Sequence, residues 1–62
     1  MSKEQKFDTI YESFINGQRT QSREQFKKLP KPQRKECINY LRDEFDNVET
    51  ATECREFLIS IL

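Results

Sequence analysis

The sequence predicts an all-α fold, a small compact bundle of three longer helices and one short helix, in a single domain spanning residues 1–62. Apolar residues recur every three or four positions in four segments, which is the period of a helix with one buried face. Capping residues, Gly or Pro bound these segments. No segment alternates apolar and polar residues with the period of two that is typical of a strand.

The first helix is predicted over residues 3–16. Ser2 and Gln5 have the spacing of a capping box, in which each side chain accepts from the backbone of the other residue. Asn16-Gly17 supplies the left-handed residue that commonly ends a helix. The apolar stripe consists of Phe7, Ile10, Tyr11, Phe14 and Ile15.

The second helix is predicted to be about two turns long, so tertiary packing has to stabilise it. Thr20 and Ser22 are alternative caps for its start. Phe26 and Leu29 form its short apolar edge. Pro30 ends it, because the residue before a proline is disfavoured in the α region.

The third helix is predicted to begin at Pro32, since proline suits the first helical position. It ends at Asp46-Asn47, after an apolar face of Cys37, Ile38, Leu41 and Phe45.

A capping box of Thr50 and Glu53 is predicted to start the fourth helix, with Asn47 as a competing cap. Its apolar positions include Cys54 and Leu58. Five of the last six residues are large and apolar, which is more than one inward face needs. One interpretation is a fully packed C-terminal helix with a frayed end. The other is a self-association surface, giving a homodimer, formed by Phe57, Ile61 and Leu62.

Charge is segregated along the chain although the net charge is zero. Residues 17–35 contain seven basic residues and one acid, a net charge of +6, whereas residues 36–62 have a net charge of −5. We expect a charge dipole that orients partners on approach. The predicted partner-binding residues are the seven basic ones, Arg19, Arg23, Lys27, Lys28, Lys31, Arg34 and Lys35.

Two functions fit this basic segment, besides a solvated face with no partner. In the first, the chain is a protein-interaction module whose basic residues meet an acidic surface of another protein. The alternative is a helix-turn-helix-like DNA-binding protein, with Arg34 or Lys35 of the third helix near phosphates or in the major groove. Gln33, Arg34 and Asn39 are the residue types that a recognition helix usually presents outward near its start. A nucleic-acid-binding domain is usually basic overall, so the pI of about 6.2 favours the first function.

The composition argues against catalysis. There is no histidine, the commonest general acid/base and metal ligand. Cys37 and Cys54 stand seventeen residues apart with no third cysteine, which excludes a zinc site of the usual kind. Both fall on apolar faces and are predicted to pack in the core, with a redox role or a disulfide as alternatives. A single glycine excludes the Gly-rich phosphate loops. We predict a non-enzymatic protein without catalytic residues, cofactor or metal.

Residues 14–30, FINGQRTQSREQFKKLP, and residues 34–45 with Asn39-Tyr40-Leu41 resemble small accessory proteins of bacteriophages. The shared features are a helix ending in Asn-Gly, the element REQFKKL and a helix ending near Tyr-Leu. The resemblance implies an infected bacterium as the setting and the binding and modulation of one host protein as the function.

No apolar run approaches the ~20 residues that span a bilayer, and the first six residues lack the apolar stretch of a signal peptide. Arg55 is the only basic residue of the fourth helix, whereas a helix lying on a membrane has a Lys/Arg-rich face. We therefore expect a cytoplasmic protein without membrane attachment.

Overall fold

The computed structural model describes residues 2–62 and contains four helices, α1 (Lys3–Ile15), α2 (Arg19–Lys27), α3 (Lys31–Glu44) and α4 (Glu49–Ser60). No strand occurs within these residues. α1 packs against each of the other three helices, most extensively against α2, and α3 packs against α4. The predicted all-α bundle of three longer helices and one short helix is confirmed. None of the helices in residues 2–62 combines the length and apolar content needed to cross a membrane.

α1 begins and ends through the predicted local interactions. The Ser2 hydroxyl accepts from the Gln5 N–H and the Gln5 side chain accepts from the Ser2 N–H, both at 3.2 Å. At the other end Gly17 has φ +80°, and its N–H donates to the Phe14 carbonyl at 3.1 Å. The Gln18 N–H donates to the Ser13 carbonyl at 2.8 Å, which completes a Schellman motif.

The predicted caps of α2 are wrong. The Schellman turn brings Gln18 to the N-cap position, where it makes no side-chain capping bond, so the helix starts before Thr20 and Ser22. Ser22 is instead fully buried between the helices, and its hydroxyl donates to the Ile10 carbonyl at 2.9 Å. A small side chain that satisfies its own hydroxyl in this way allows α2 to lie close against α1.

Two further boundaries differ from the predictions. α3 starts at Lys31, so Pro32 occupies the second helical position, and the helix ends at Glu44. Asn47 adopts a left-handed conformation with φ +65°, and therefore turns the chain rather than capping α4. Val48 becomes the N-cap without a side-chain bond, and the predicted Thr50–Glu53 capping box does not form.

The core is built on the apolar stripe of α1, with side chains from all four helices. Three aromatic pairs join α1 to the rest of the chain, Phe7 with Tyr40, Tyr11 with Phe45 and Phe14 with Phe57, at centroid distances of 5.5, 4.6 and 5.5 Å. The predicted core positions of both cysteines are confirmed. The buried apolar residues are Phe7, Ile10, Tyr11, Phe14, Phe26, Leu29, Cys37, Leu41, Ala51, Cys54 and Leu58.

Ile15 was expected in the stripe but is 49% exposed, because it is the last residue of α1 and lies beyond the packed face.

Phe14 and Ile15 are neighbours with different burial, which gives a matched pair of substitutions. Phe14→Ala removes a buried ring and should cost about 3–5 kcal/mol of unfolding free energy. Because a core of this size supplies only ~3–5 kcal/mol in total, the variant should be largely unfolded. Ile15→Ala should change the stability by less than ~1 kcal/mol. Urea denaturation followed by circular dichroism measures the unfolding free energy of both variants. Equal losses in the two variants would contradict the burial of Phe14 and the exposure of Ile15.

Candidate functional site

Six of the seven predicted basic residues are exposed on α2, on the turn after it and on the first turns of α3. The two ion pairs within residues 2–62 are Lys3 with Glu36 and Arg42 with Asp43, so none of the six is neutralised by an acid of the described chain. We refer to these six residues as the basic surface. They are Arg19, Arg23, Lys27, Lys28, Lys31 and Lys35.

Several of these cations stand at positions that are unfavourable for their helices, whereas Lys27 and Lys28 lie at the end of α2, where the helix dipole favours positive charge. Arg19, Arg23 and Lys27 follow one another at intervals of four along α2, where like charges repel across each turn. α2 and α3 have no acid in their first turns, whereas α1 and α4 have Glu4 and Glu49 there. Because the start of a helix carries partial positive charge, basic residues at these starts are locally destabilising. Such violations of local rules are typical of functional surfaces.

Arg34 differs from the other predicted binding residues. It is half-buried, its Nε donates to the Leu29 carbonyl at 3.0 Å and its Nη2 donates to the Lys27 carbonyl at 2.8 Å. Both acceptors lie at or just beyond the end of α2, where backbone carbonyls lack partners within the helix. Arg34 therefore holds the joint between α2 and α3, and much of its guanidinium is already bonded.

Arg19 also contacts the core from the edge of the basic surface. Its guanidinium carbon lies 5.0 Å from the centroid of the Phe14 ring, which is the geometry of a cation–π interaction. The contact fixes the start of α2 over α1 while the charge remains in solvent.

A groove between α1 and α2 adjoins the basic surface. Its volume is about 270 Å³, and Ile10 and Leu29 lie at its base but are only 1% and 4% exposed, so most of its accessible apolar surface belongs to the other lining side chains. Lys6 and Lys28 are exposed and flank it, with Thr9 and Gln25 completing the lining. The groove is not predictable from the sequence, because Lys6 is distant in the chain from the basic segment and only the packing of α2 on α1 brings it alongside.

The predicted self-association residues are divided by the structure. Phe57 and Ile61 are half-buried and pack against the core, Phe57 through the ring of Phe14. Leu62 is 52% exposed. Ile59, which was not selected from the sequence, is 55% exposed because it lies on the side of α4 away from Cys54 and Leu58.

The cysteines offer no reactive thiolate. Both are free and fully buried, and burial raises the pKa of each thiol to about 12 from an ordinary value of 9.0. A high pKa leaves the protonated, unreactive form at neutral pH. No group of three or more His, Cys, Asp or Glu side chains within residues 2–62 is arranged to hold a metal ion.

Arg34→Ala should lower the unfolding free energy by about 1 kcal/mol, because it leaves two carbonyls at the end of α2 without these bonds. The neighbouring change Lys35→Ala removes an exposed, unpaired cation and should stay within ~0.5 kcal/mol of the parent chain. Chemical denaturation of the two variants compares them directly. A Lys35→Ala loss as large as that of Arg34→Ala would contradict the distinction between the joint and the basic surface.

Alkaline pH should destabilise the fold between pH 9 and about 12. Burial raises the pKa of Cys37 and Cys54 to about 12, and the hydrogen bond to Asp8 raises the pKa of Tyr40 from 10.0 to about 12. The unfolded chain ionises these groups first, so their contribution is complete below pH 9 and is lost as the pH rises through the folded pKa values. Urea unfolding across this pH range measures the loss of unfolding free energy. The variant Tyr40→Phe keeps both thiols, so it should still lose stability with rising pH, but less than the parent chain. Stability that is constant up to pH 12 would contradict this assignment.

Scans of protein-family models, of curated protein sequences and of solved structures found no match to this chain.

Proposed function

We propose that this chain is a non-enzymatic protein-interaction module whose basic surface binds an acidic segment of a partner protein. The observation that carries the proposal is the set of six exposed cations that form no ion pair with an acid of the described chain, two of which, Arg19 and Lys31, also stand at helix starts that disfavour positive charge. An acidic partner would relieve the repulsion along α2 and at the start of α3. Part of the binding free energy would therefore come from relieving the like-charge repulsion that is present in the free protein.

The chemistry of the α1–α2 groove narrows the class of partner. Carboxylates of the partner pair with Lys6 and Lys28, and one apolar side chain between them enters the groove over Ile10 and Leu29. The methylene stems of the two lysines add apolar wall to the groove while their ammonium groups stay in solvent. The ligand is thus a protein segment with acidic residues around one large apolar residue.

Several observations favour a protein over duplex DNA. Arg34 donates to the carbonyls of Lys27 and Leu29, and Gln33 is half-buried, so only Asn39 of the three predicted outward residues is exposed. α2 and α3 contact one another only marginally, whereas a helix-turn-helix is a packed helix pair. The acids of the C-terminal part are exposed and would repel a phosphate backbone. They are Asp43, Glu44, Asp46, Glu49, Glu53 and Glu56.

The resemblance of residues 14–30 and 34–45 to small bacteriophage accessory proteins supports a bacterial host protein as the partner. The segregated charges support fast, oriented association, because a positive end steers an acidic surface toward it. Binding would then block or redirect the host protein by covering its acidic segment.

The test measures the anisotropy of a fluorescein-labelled peptide with one Leu among Glu and Asp residues, at physiological ionic strength. The parent chain should bind it, and Lys28→Glu should weaken binding roughly tenfold, about 1.4 kcal/mol, because Lys28 belongs to both the basic surface and the groove. Lys3→Glu changes the net charge equally but lies outside this site and should alter the affinity less than about twofold.

Two further probes in the same assay distinguish the rival functions. A peptide with Ser in place of Leu should bind more weakly, because it has no side chain for the groove. Labelled duplex DNA should bind weakly and lose affinity steeply with added salt. Sub-micromolar affinity for the duplex at physiological ionic strength, or equal effects of Lys3→Glu and Lys28→Glu on the peptide, would overturn the proposed function.

A further inference from the structure

A second groove lies between α3 and α4, and Lys35 of the basic surface stands one turn before it on α3. Its volume is about 330 Å³, and Ile38 and Ile59 supply its apolar lining. Ile59 has the highest exposed fraction of the large apolar side chains in the described chain, 55%. One face of the molecule therefore carries both a protruding apolar side chain, Ile59, and a groove that an apolar side chain can enter.

The charges around this groove have both signs. Arg42 and Arg55, the only basic residues of the acidic segment 36–62, both line it, and Glu56 lies beside them. The Arg55 side chain is half-buried, and its Nη2 donates to the Thr52 hydroxyl at 3.1 Å, which holds the guanidinium along α4. Arg42 is exposed and its Nε lies 3.3 Å from the Asp43 carboxylate.

We propose that this groove binds a second copy of the chain in a two-fold symmetric dimer. In such an interface the same patch occurs on both sides, so residue i of one copy meets residue j of the other and the reverse. Ile59 of each copy enters the groove of the other copy, and Arg55 of each pairs with Glu56 of the other. This contact covers the exposed Ile59 side chains and neutralises charges of both signs.

A second copy fits this face better than a partner of one charge. A purely acidic partner would meet Glu56 and the acids nearby, and a purely basic partner would meet Arg42 and Arg55. The groove is small and its rim is charged, so the contact belongs to the small interfaces that associate weakly. We therefore expect dimerisation only at high protein concentration.

The proposed dimer uses Ile59 instead of the residues that were predicted from the sequence for self-association. Phe57 and Ile61 pack against the core, so they contribute less to a surface than Ile59 does. The interface lies on α3 and α4 and leaves the basic residues of α2 free, so a dimer presents the basic residues of two α2 helices. Two linked surfaces bind a multivalent partner more tightly than either does alone.

Sedimentation equilibrium of the full chain over a concentration series tests the proposal. The parent chain should dimerise, Ile59→Lys should be monomeric, and Leu62→Lys should remain dimeric. The last variant is the matched control, because Leu62 is exposed to nearly the same extent, 52%, but does not line the groove. Circular dichroism verifies that each variant is folded. A monomeric parent chain at millimolar concentration would overturn the proposal, as would a dimer that survives Ile59→Lys and is lost in Leu62→Lys.

A charge exchange tests the pairing without altering the apolar contact. Arg55→Glu and Glu56→Arg should each weaken dimerisation, because each places like charges across the two-fold axis. The double variant Arg55→Glu/Glu56→Arg recreates opposite charges and should restore most of the affinity, which a loss of local helix structure would not do. A double variant as weak as the single ones would contradict the arrangement.

Discussion

The Ser22 hydroxyl donates to the Ile10 carbonyl inside the core, and this contact allows α2 to lie close against α1. α2 has nine residues and only two buried ones, Ser22 and Phe26, so it is too short to be stable by itself. Its orientation follows from these two residues, from the Schellman turn at Gly17 and from two contacts with α1. In these contacts the Ser13 hydroxyl donates to the Gln25 side-chain oxygen at 3.3 Å, and Arg19 lies over the Phe14 ring. That orientation exposes the charged side of α2 and brings Lys28 alongside Lys6 at the α1–α2 groove.

The charge distribution lowers the stability of α2 and α3, and other contacts of the fold offset part of this loss. Basic residues at the starts of α2 and α3 oppose the helix dipoles, while the capping box and Glu4 favour the start of α1. Arg34 offsets part of this cost by donating to carbonyls at the end of α2, and Arg19 does so by lying over the Phe14 ring. The remaining cations have no such partner in the described chain, and the proposed acidic ligand explains why they are there.

Local signals predicted α1 and the helical class correctly, because the Ser2–Gln5 box and Gly17 act within a few residues of their positions. The helical spacing of the apolar residues also predicted correctly that Cys37 and Cys54 lie in the core. Ser22 was misassigned as a cap because the buried acceptor it uses, the Ile10 carbonyl, is twelve residues away and invisible to local spacing. Likewise, the spacing of apolar residues shows which helix face is buried but not its width, so Ile59 was not distinguished from Phe57 and Ile61.

We propose that packing of α2 on α1 creates one continuous site for an acidic protein segment with an apolar anchor. A titration of the ¹⁵N-labelled chain with the Leu-containing acidic peptide, followed by two-dimensional NMR, tests this most directly. We expect the largest chemical-shift changes at Lys6, Thr9 and Lys28 and on the α2 face around Arg23. The Ser-containing peptide should change the shifts of α2 but leave those of Thr9 unchanged. The largest changes on α4, or identical shifts with both peptides, would contradict it.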